Sequence, residues 1–253
     1  MNYLDPYLRW IHIIAGIVWI GHLYFFNFVN GPFQATMSGD VKKSVNPELL
    51  PRALWWFRWG AAWTWATGVL MALILFYHGR LALEGDADWS LGALIAILLT
   101  FGGFLVYDAL IRSAAIADVK IKYAVGFVLI VMVMLIMRWA DFSYRGTLIH
   151  IGALFGTIMA FNVWFRIWPA QQQIITAVKN GTPPDANLVA MAGLRSRHNT
   201  YLSVPLLFTM INLHTVTAFP DFVPREVGLG LVILIGWHVV WQLYKRAGNV
   251  KGF

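Results

Sequence analysis

The chain has 253 residues, of which 59% are hydrophobic and 12% are charged, with a net charge of +7 and no cysteine. Soluble domains carry roughly 25% charged residues, so this composition indicates an integral membrane protein. The lack of cysteine excludes disulfides, thiolate metal sites, iron–sulfur clusters and covalent haem attachment within this sequence. Membrane topology explains the basic surplus, and we expect the lipid bilayer and no nucleic acid as a partner.

Seven apolar stretches follow one another along the chain, each near the ~20 residues that a helix needs to cross a bilayer. They predict an all-α polytopic membrane helix bundle of about seven transmembrane helices, forming a single integral-membrane domain over residues 1–253. The predicted spans are residues 7–29, 53–77, 90–111, 121–140, 147–168, 199–218 and 227–245. Tryptophans cluster at the ends of these spans, as in the aromatic belts of membrane proteins.

The longest connection, residues 169–198, is predicted to be an amphipathic insert on the inner side of the membrane. It begins with an amphipathic stretch at 171–179 and turns at the Asn-Gly-Thr-Pro-Pro sequence of 180–184. A second short helix is expected over residues 185–197. Asn199 would then cap the sixth span.

The basic residues divide unequally between the two faces that these spans create. Fourteen of the 19 lysines and arginines fall on one side and five on the side of the N-terminus. The positive-inside rule makes the richer side cytoplasmic, so the N-terminus is predicted outside and the C-terminus inside. We expect a multi-pass protein of the bacterial inner, or cytoplasmic, membrane.

Histidines within or beside the apolar stretches are the most informative side chains. An ionisable group in hydrocarbon is a functional-site hypothesis by default, and haem takes axial histidine ligands. The candidate cofactor-binding residues, sorted by the predicted threading, are His12, His150 and His214 toward the outer side and His22, His198 and His238 toward the inner side. This pattern suggests two stacked redox sites that hold haem b.

The best candidates for metal ligation are His12, His22, His198 and His214. Each histidine also has an ordinary interpretation, because membrane histidines often pack helices through hydrogen bonds or carry protons. His78 precedes Gly79 and Arg80 at the end of a span, and it is interpreted as mostly interfacial.

Charged and amide side chains near the span ends suggest where an anion would bind. Arg197 and Asn199 together offer a guanidinium fork and an amide to a planar anion, and Arg138 is the alternative near the outer side. Arg58 would either reach lipid phosphates or hold a haem propionate or an anionic substrate. Asp108 is favoured as an ion-pair partner of Arg112 one turn later, with proton transfer as its alternative.

Three segments resemble the N-terminal membrane domain of the bacterial membrane-bound urate oxidase family. They read HIIAGIVWIGH at 12–22, NVWFRIWPAQQ at 162–172 and RSRHNTYLSVPLLF at 195–208, the last being the most specific. The resemblance runs along essentially the whole chain. It implies an inner-membrane oxidoreductase that oxidises urate and passes electrons through cytochrome c, without the oxygen-to-peroxide chemistry of the soluble enzyme.

Family members usually carry an eighth span and a C-terminal cytochrome c domain, whereas this sequence has no Cys-x-x-Cys-His motif. We therefore expect a separate cytochrome c, or other subunits of a membrane complex, as the electron partner. Two other functions stay open. One is a non-catalytic subunit of a respiratory or photosynthetic complex that carries haem or serves as scaffold, and the other is a protein that handles copper or haem precursors.

Overall fold

A computed structural model describes residues 3–212, 218–220 and 222–250. Within these ranges the secondary structure is helical, apart from one isolated antiparallel bridge between Leu83 and Phe142. The α-helices are α1 (Asp5–Tyr24), α2 (Gly31–Thr36), α3 (Gly39–Met71), α4 (Leu91–Arg112), α5 (Val119–Trp139), α6 (Tyr144–Asn162), α7 (Trp168–Lys179), α8 (Ala186–Asn212) and α9 (Arg225–Ala247). Three wider π-helical segments continue α1, α3 and α6 without a break, at Phe25–Asn30, Ala72–His78 and Val163–Ile167.

Among the described residues, six helical segments are long and apolar enough to cross a membrane, and they overlap six of the seven predicted spans. They are Asp5–Thr36, Gly39–His78, Leu91–Arg112, Val119–Trp139, Tyr144–Lys179 and Arg225–Ala247. The chain is therefore an all-helical, multi-pass membrane protein. The backbone N–H and C=O groups of a helix hydrogen-bond to one another, whereas the hydrocarbon of a membrane offers them no partner.

The remaining predicted span, residues 199–218, falls on α8 and on residues 213–217, which lie outside the described part of the chain. The described residues of α8 are not among the segments that qualify as membrane-spanning by length and composition. The span at 199–218 therefore stays a prediction.

The structure corrects the predicted break before Asn199. Residues 186–212 form one continuous helix, so Asn199 lies in its interior and caps nothing. The helix begins instead beside Asp185, whose carboxylate accepts the backbone N–H of Asn187 at 2.7 Å, as an N-capping residue does. The predicted turn before it is confirmed, and Gly181 adopts there a φ of +72° that favours glycine.

The chain forms two compact units, the first made of Met1–Gly68, Met159–Ser203 and Gly236–Phe253, the second of Val69–Ile158 and Val204–Ile235. In the first unit α1 and α3 approach closely at small residues. A Cβ on Gly60 would lie 3.0 Å from the backbone nitrogen of Trp19 and 3.2 Å from the carbonyl oxygen of Ala15. Small residues allow this backbone approach, which drives helix association in a lipid solvent.

In the second unit, α6 supplies the most deeply buried apolar face. Leu148, Ile151 and Phe155 have no exposed surface. The start of α6 also meets the loop after α3, because a Cβ on Gly146 would overlap the carbonyl oxygen of Ala82. Ser143 lies next to this contact and donates its backbone N–H to the same carbonyl at 2.9 Å.

Replacing Gly146 with alanine should destabilise the protein, because the added methyl group meets rigid backbone rather than a side chain that can rotate. We expect a cost of about 1–3 kcal/mol, the usual range for overpacking. Gly102→Ala in α4 is the matched control, since a Cβ there meets nothing within 4 Å. Thermal unfolding in detergent should show a lower Tm for Gly146→Ala only, and equal Tm values would contradict the close contact.

Candidate functional site

His12 lies on α1 and is oriented by a threonine of α3. Its Nδ1 is 3.1 Å from Oγ1 of Thr67, and that hydroxyl donates its own hydrogen to the carbonyl of Trp63 at 2.6 Å. The Thr67 oxygen must therefore accept a hydrogen from Nδ1 of His12. In the neutral imidazole this leaves the lone pair on Nε2, which is the nitrogen available to a metal.

His22 is fixed in the same tautomer by its own helix. Its Nδ1 lies 2.7 Å from the carbonyl oxygen of Val18, which can only accept a hydrogen bond. The ten residues between His12 and His22 correspond to roughly 15 Å along a helix axis. One iron therefore cannot be bound by both histidines.

His150 and His238 have their Nε2 atoms engaged in hydrogen bonds. His150 is 1% exposed, with Nδ1 2.7 Å from the carbonyl of Gly146 and Nε2 2.9 Å from the hydroxyl of Tyr77. His238 is exposed, and its Nε2 lies 3.2 Å from the side-chain amide nitrogen of Gln242. Either residue would have to release this partner before it could bind a metal through Nε2.

The other two described histidines occupy different environments. His198 is buried in α8, and His78 is exposed at the end of its π-helical segment. His214 lies outside the described residues, and its role stays a prediction. Among the described residues, no three histidine, aspartate or glutamate side chains come together as a metal-ion site.

A cleft in the first unit is the candidate substrate site. It has a volume of about 910 Å³ and is lined by the π-helical continuation of α1, by α2 and by parts of α3, α7, α8 and α9. Arg197 is the one charged side chain among the described residues that line it. Five side-chain amides also line it: Asn27, Asn30, Gln34, Asn46 and Gln171. A lone cation among amides and aromatic rings is a lining that can bind a planar anion.

Tyr244 connects three elements at one wall of this cleft. Its hydroxyl donates to Oδ1 of Asn27 at 2.7 Å, and Nδ2 of Asn27 donates to Oγ of Ser196 at 2.9 Å. The guanidinium carbon of Arg197 lies 5.5 Å from the centre of the Tyr244 ring, within the range of a cation–π interaction. Sequence reasoning missed Tyr244, because nothing in the local pattern near the end of α9 distinguishes it.

Asn199, the predicted neighbour of Arg197 at the anion, is fully buried and does not line the cleft. Its Oδ1 accepts from Nδ2 of Asn162 at 2.9 Å, and its Nδ2 donates to the carbonyl of Met159 at 2.9 Å. Asn199 therefore joins α8 to α6 in this arrangement. Residues two positions apart on an α-helix point about 200° apart around its axis, which explains why Arg197 and Asn199 have different surroundings.

Arg138 belongs to an ion-pair cluster in the second unit. It lies 3.3 Å from the carboxylate of Glu226, which is 6% exposed, and Arg225 contacts the same carboxylate at 3.2 Å. A buried carboxylate needs such partners, because an unpaired charge is costly to bury. The structure thus places Arg138 beside the start of α9, and Arg138 does not line the cleft.

Two other predicted polar residues have identifiable partners. The Asp108–Arg112 pair is confirmed, with the two side chains 3.6 Å apart. Arg58 lies with its guanidinium carbon 3.9 Å from the centre of the Trp168 ring and 5.8 Å from that of Trp164. Its roles toward lipid phosphate, propionate or substrate stay predictions.

Comparisons with known proteins point to one family. The sequence model of the family described as "Urate oxidase N-terminal" matches residues 39–245, which is most of the chain. No curated protein and no solved structure matches this sequence.

Asn199 and Arg197 should respond differently to substitution. Asn199→Ala leaves the buried amide of Asn162 without its acceptor, and this should cost about 1–3 kcal/mol of stability. Arg197→Gln removes an exposed charge and should leave the Tm in detergent within about 2 °C of the original, since surface changes are small. An unchanged Tm for Asn199→Ala, measured by the same thermal unfolding, would contradict the buried amide pair.

Proposed function

Because the chain belongs to the Urate oxidase N-terminal family, we propose that it is a urate-oxidase-like membrane oxidoreductase. It takes electrons from a small planar anion, passes them through haem b held by histidine, and delivers them to a cytochrome c. The family match over residues 39–245 is the observation that carries this proposal. The lining of the cleft supports it independently.

Urate is planar, singly anionic near neutral pH, and edged with carbonyl oxygens and N–H groups. Arg197 would bind its negative charge, since a guanidinium presents parallel N–H donors to a delocalised anion. The amides of Gln34 and Asn46 are hydrogen-bonded to each other, and their second hydrogens and lone pairs, with the amide of Gln171, would serve the remaining edge. Phe26 and Tyr244 add aromatic rings to the lining, which suits a flat molecule.

Burial gives the cleft its selectivity in this proposal. Asn30 is 8% exposed, so its polar atoms are largely shielded from water. A ligand that lacks polar groups would cover the remaining hydrogens and lone pairs of such amides without pairing them, and this penalty disfavours apolar competitors. Arg197, being exposed, would hold the charged group toward the open side of the cleft.

The described histidines of the first unit have the chemistry that a haem ligand needs. His12 and His22 each hold Nδ1–H on an oxygen acceptor, which orients the ring and raises the basicity of Nε2. Together with His198 they are the residues that would hold haem b here. When bound, the cofactor supplies a one-electron acceptor between the substrate and a cytochrome c. His214, His150 and His238 stay secondary candidates.

We infer that the N-terminus lies outside and the C-terminus inside, in a bacterial inner membrane. The support is the uneven distribution of lysine and arginine between the two faces. A cytochrome c partner would then receive electrons on the outer side. The protein would act with a separate cytochrome or within a larger membrane complex.

A visible spectrum tests the proposed function directly. Adding urate to the oxidised, purified protein should produce the absorption bands of reduced haem b, and a pyridine haemochrome assay should count the haem. Arg197→Gln should need at least tenfold more urate for half-reduction, because a charge-assisted hydrogen bond contributes about 1.5–3 kcal/mol. Dithionite should still reduce the haem of this variant fully.

Other outcomes of this experiment separate the alternatives. Haem that dithionite reduces but urate does not would indicate a non-catalytic haem-carrying subunit. Protein without haem would overturn the histidine assignment. His22→Ala should lower the ratio of haem to protein, whereas His78→Ala is the matched control at an exposed position and should leave this ratio unchanged.

The proposed orientation can be tested by labelling, because the chain has no native cysteine. Single cysteines at the exposed positions Ser44 and Asp86 lie on opposite predicted sides. In intact spheroplasts a membrane-impermeant maleimide should label Asp86→Cys and spare Ser44→Cys until the membrane is permeabilised. The reverse pattern would show that the positive-inside count misassigns this protein.

A further inference from the structure

A second concave surface lies apart from the cleft residues, where α3 passes the C-terminal end of α7. This groove, here called the tryptophan groove, has a volume of about 520 Å³. It is lined by Pro47, Glu48, Pro51, Arg52, Trp55, Trp56 and Lys179. None of these residues lines the candidate substrate cleft.

The tryptophan groove coincides with an abrupt change in the polarity of α3. Residues 39–52 contain five charged side chains, whereas residues 53–71 contain only Arg58. Such a border marks the level at which a membrane helix leaves hydrocarbon for the headgroup region. The groove therefore lies at the depth of lipid headgroups.

Two tryptophans supply the apolar part of the groove. Trp55 and Trp56 are 46% and 53% exposed, and their rings pack edge to face with centres 4.8 Å apart. Large rings this exposed are not part of the protein core. At the membrane interface, tryptophan places its ring against the glycerol and upper acyl region of lipids.

The charges of the groove sum to +1. Arg52 is paired with Glu48 at 2.7 Å within one turn of α3, so this pair is neutral as a unit. Lys179, in the last turn of α7, adds the remaining positive charge. Guanidinium and ammonium groups are both strong donors to phosphate oxygens.

We propose that the tryptophan groove binds one singly anionic phospholipid. Lys179 and Arg52 hold its headgroup phosphate, and Trp55 and Trp56 contact its glycerol and upper acyl chains. The net charge of +1 matches a headgroup of charge −1, such as that of phosphatidylglycerol, better than a neutral zwitterionic headgroup. This inference does not depend on the oxidoreductase proposal, because no residue is shared between the two sites.

Native mass spectrometry of the full-length protein can test the assignment, using phosphatidylglycerol and phosphatidylcholine with the same acyl chains. The original protein should retain phosphatidylglycerol preferentially. Lys179→Gln should weaken phosphatidylglycerol binding about fivefold, the effect expected of one basic residue near an anionic lipid surface. Lys120→Gln is the matched control, an exposed lysine at the start of α5.

The control decides whether the effect is local. Weakening by Lys179→Gln alone supports a built site, whereas equal weakening by both substitutions, or by neither, overturns it. Trp56→Ala should weaken the retention of both lipids without changing their ratio. If glycerol phosphate displaced the lipid at equal concentration, the headgroup alone would be the ligand and the lipid assignment would fail. Every variant should first show the elution profile of the original protein in detergent.

Discussion

Hydrocarbon does not hydrogen-bond to a polypeptide, and this constraint governs the structure of the protein. Each spanning segment must satisfy its backbone internally, so the described chain is helical and its helices are long. Lipid chains are as apolar as these side chains, so burying an apolar side chain inside the protein gains little free energy. Many large apolar residues are accordingly exposed, and close backbone contacts such as the one at Gly60 hold helices together.

Polar side chains within the helices follow from the same constraint. Each buried donor requires an acceptor, because an unpaired polar group in an apolar setting is costly. Asn199 meets this need by pairing with Asn162, and His150 by pairing with Tyr77 and Gly146. A polar residue in a span is therefore not by itself a ligand-binding residue, and its hydrogen-bond partners distinguish the two roles.

The hydrogen-bond partners also change which histidines are the better candidates for metal ligation. His12 and His22 each commit Nδ1 to an oxygen and keep the Nε2 lone pair, whereas His150 and His238 use Nε2 within the protein. The arginines separate in the same way. Arg138 joins a carboxylate cluster, Arg58 lies on the Trp168 ring, and Arg197 lines a cleft with amides. Only the last of these environments combines charge with space for a ligand.

The sequence by itself determined the class of protein and the family, and its apolar stretches predicted the positions of six long apolar helices. Apolar length is a local property of the chain, so the spans at 53–77 or 121–140 need no knowledge of their neighbours. The Asp108–Arg112 ion pair was also predictable from the sequence, since residues four apart lie on the same face of a helix.

Tertiary structure decided what local pattern cannot express. The N-cap expected at Asn199 was wrong, because α8 continues through this residue. Its side chain bonds instead to Asn162 and Met159, which lie in a distant part of the chain and are not predictable from local pattern. Tyr244 forms part of the cleft wall and donates a hydrogen bond to Asn27, which lies 217 positions away in sequence. The tautomer of His12 likewise depends on Thr67, and Nε2 of His150 has its partner in Tyr77, each on another helical segment. A single sequence records which side chains are present, and packing alone decides which of them meet.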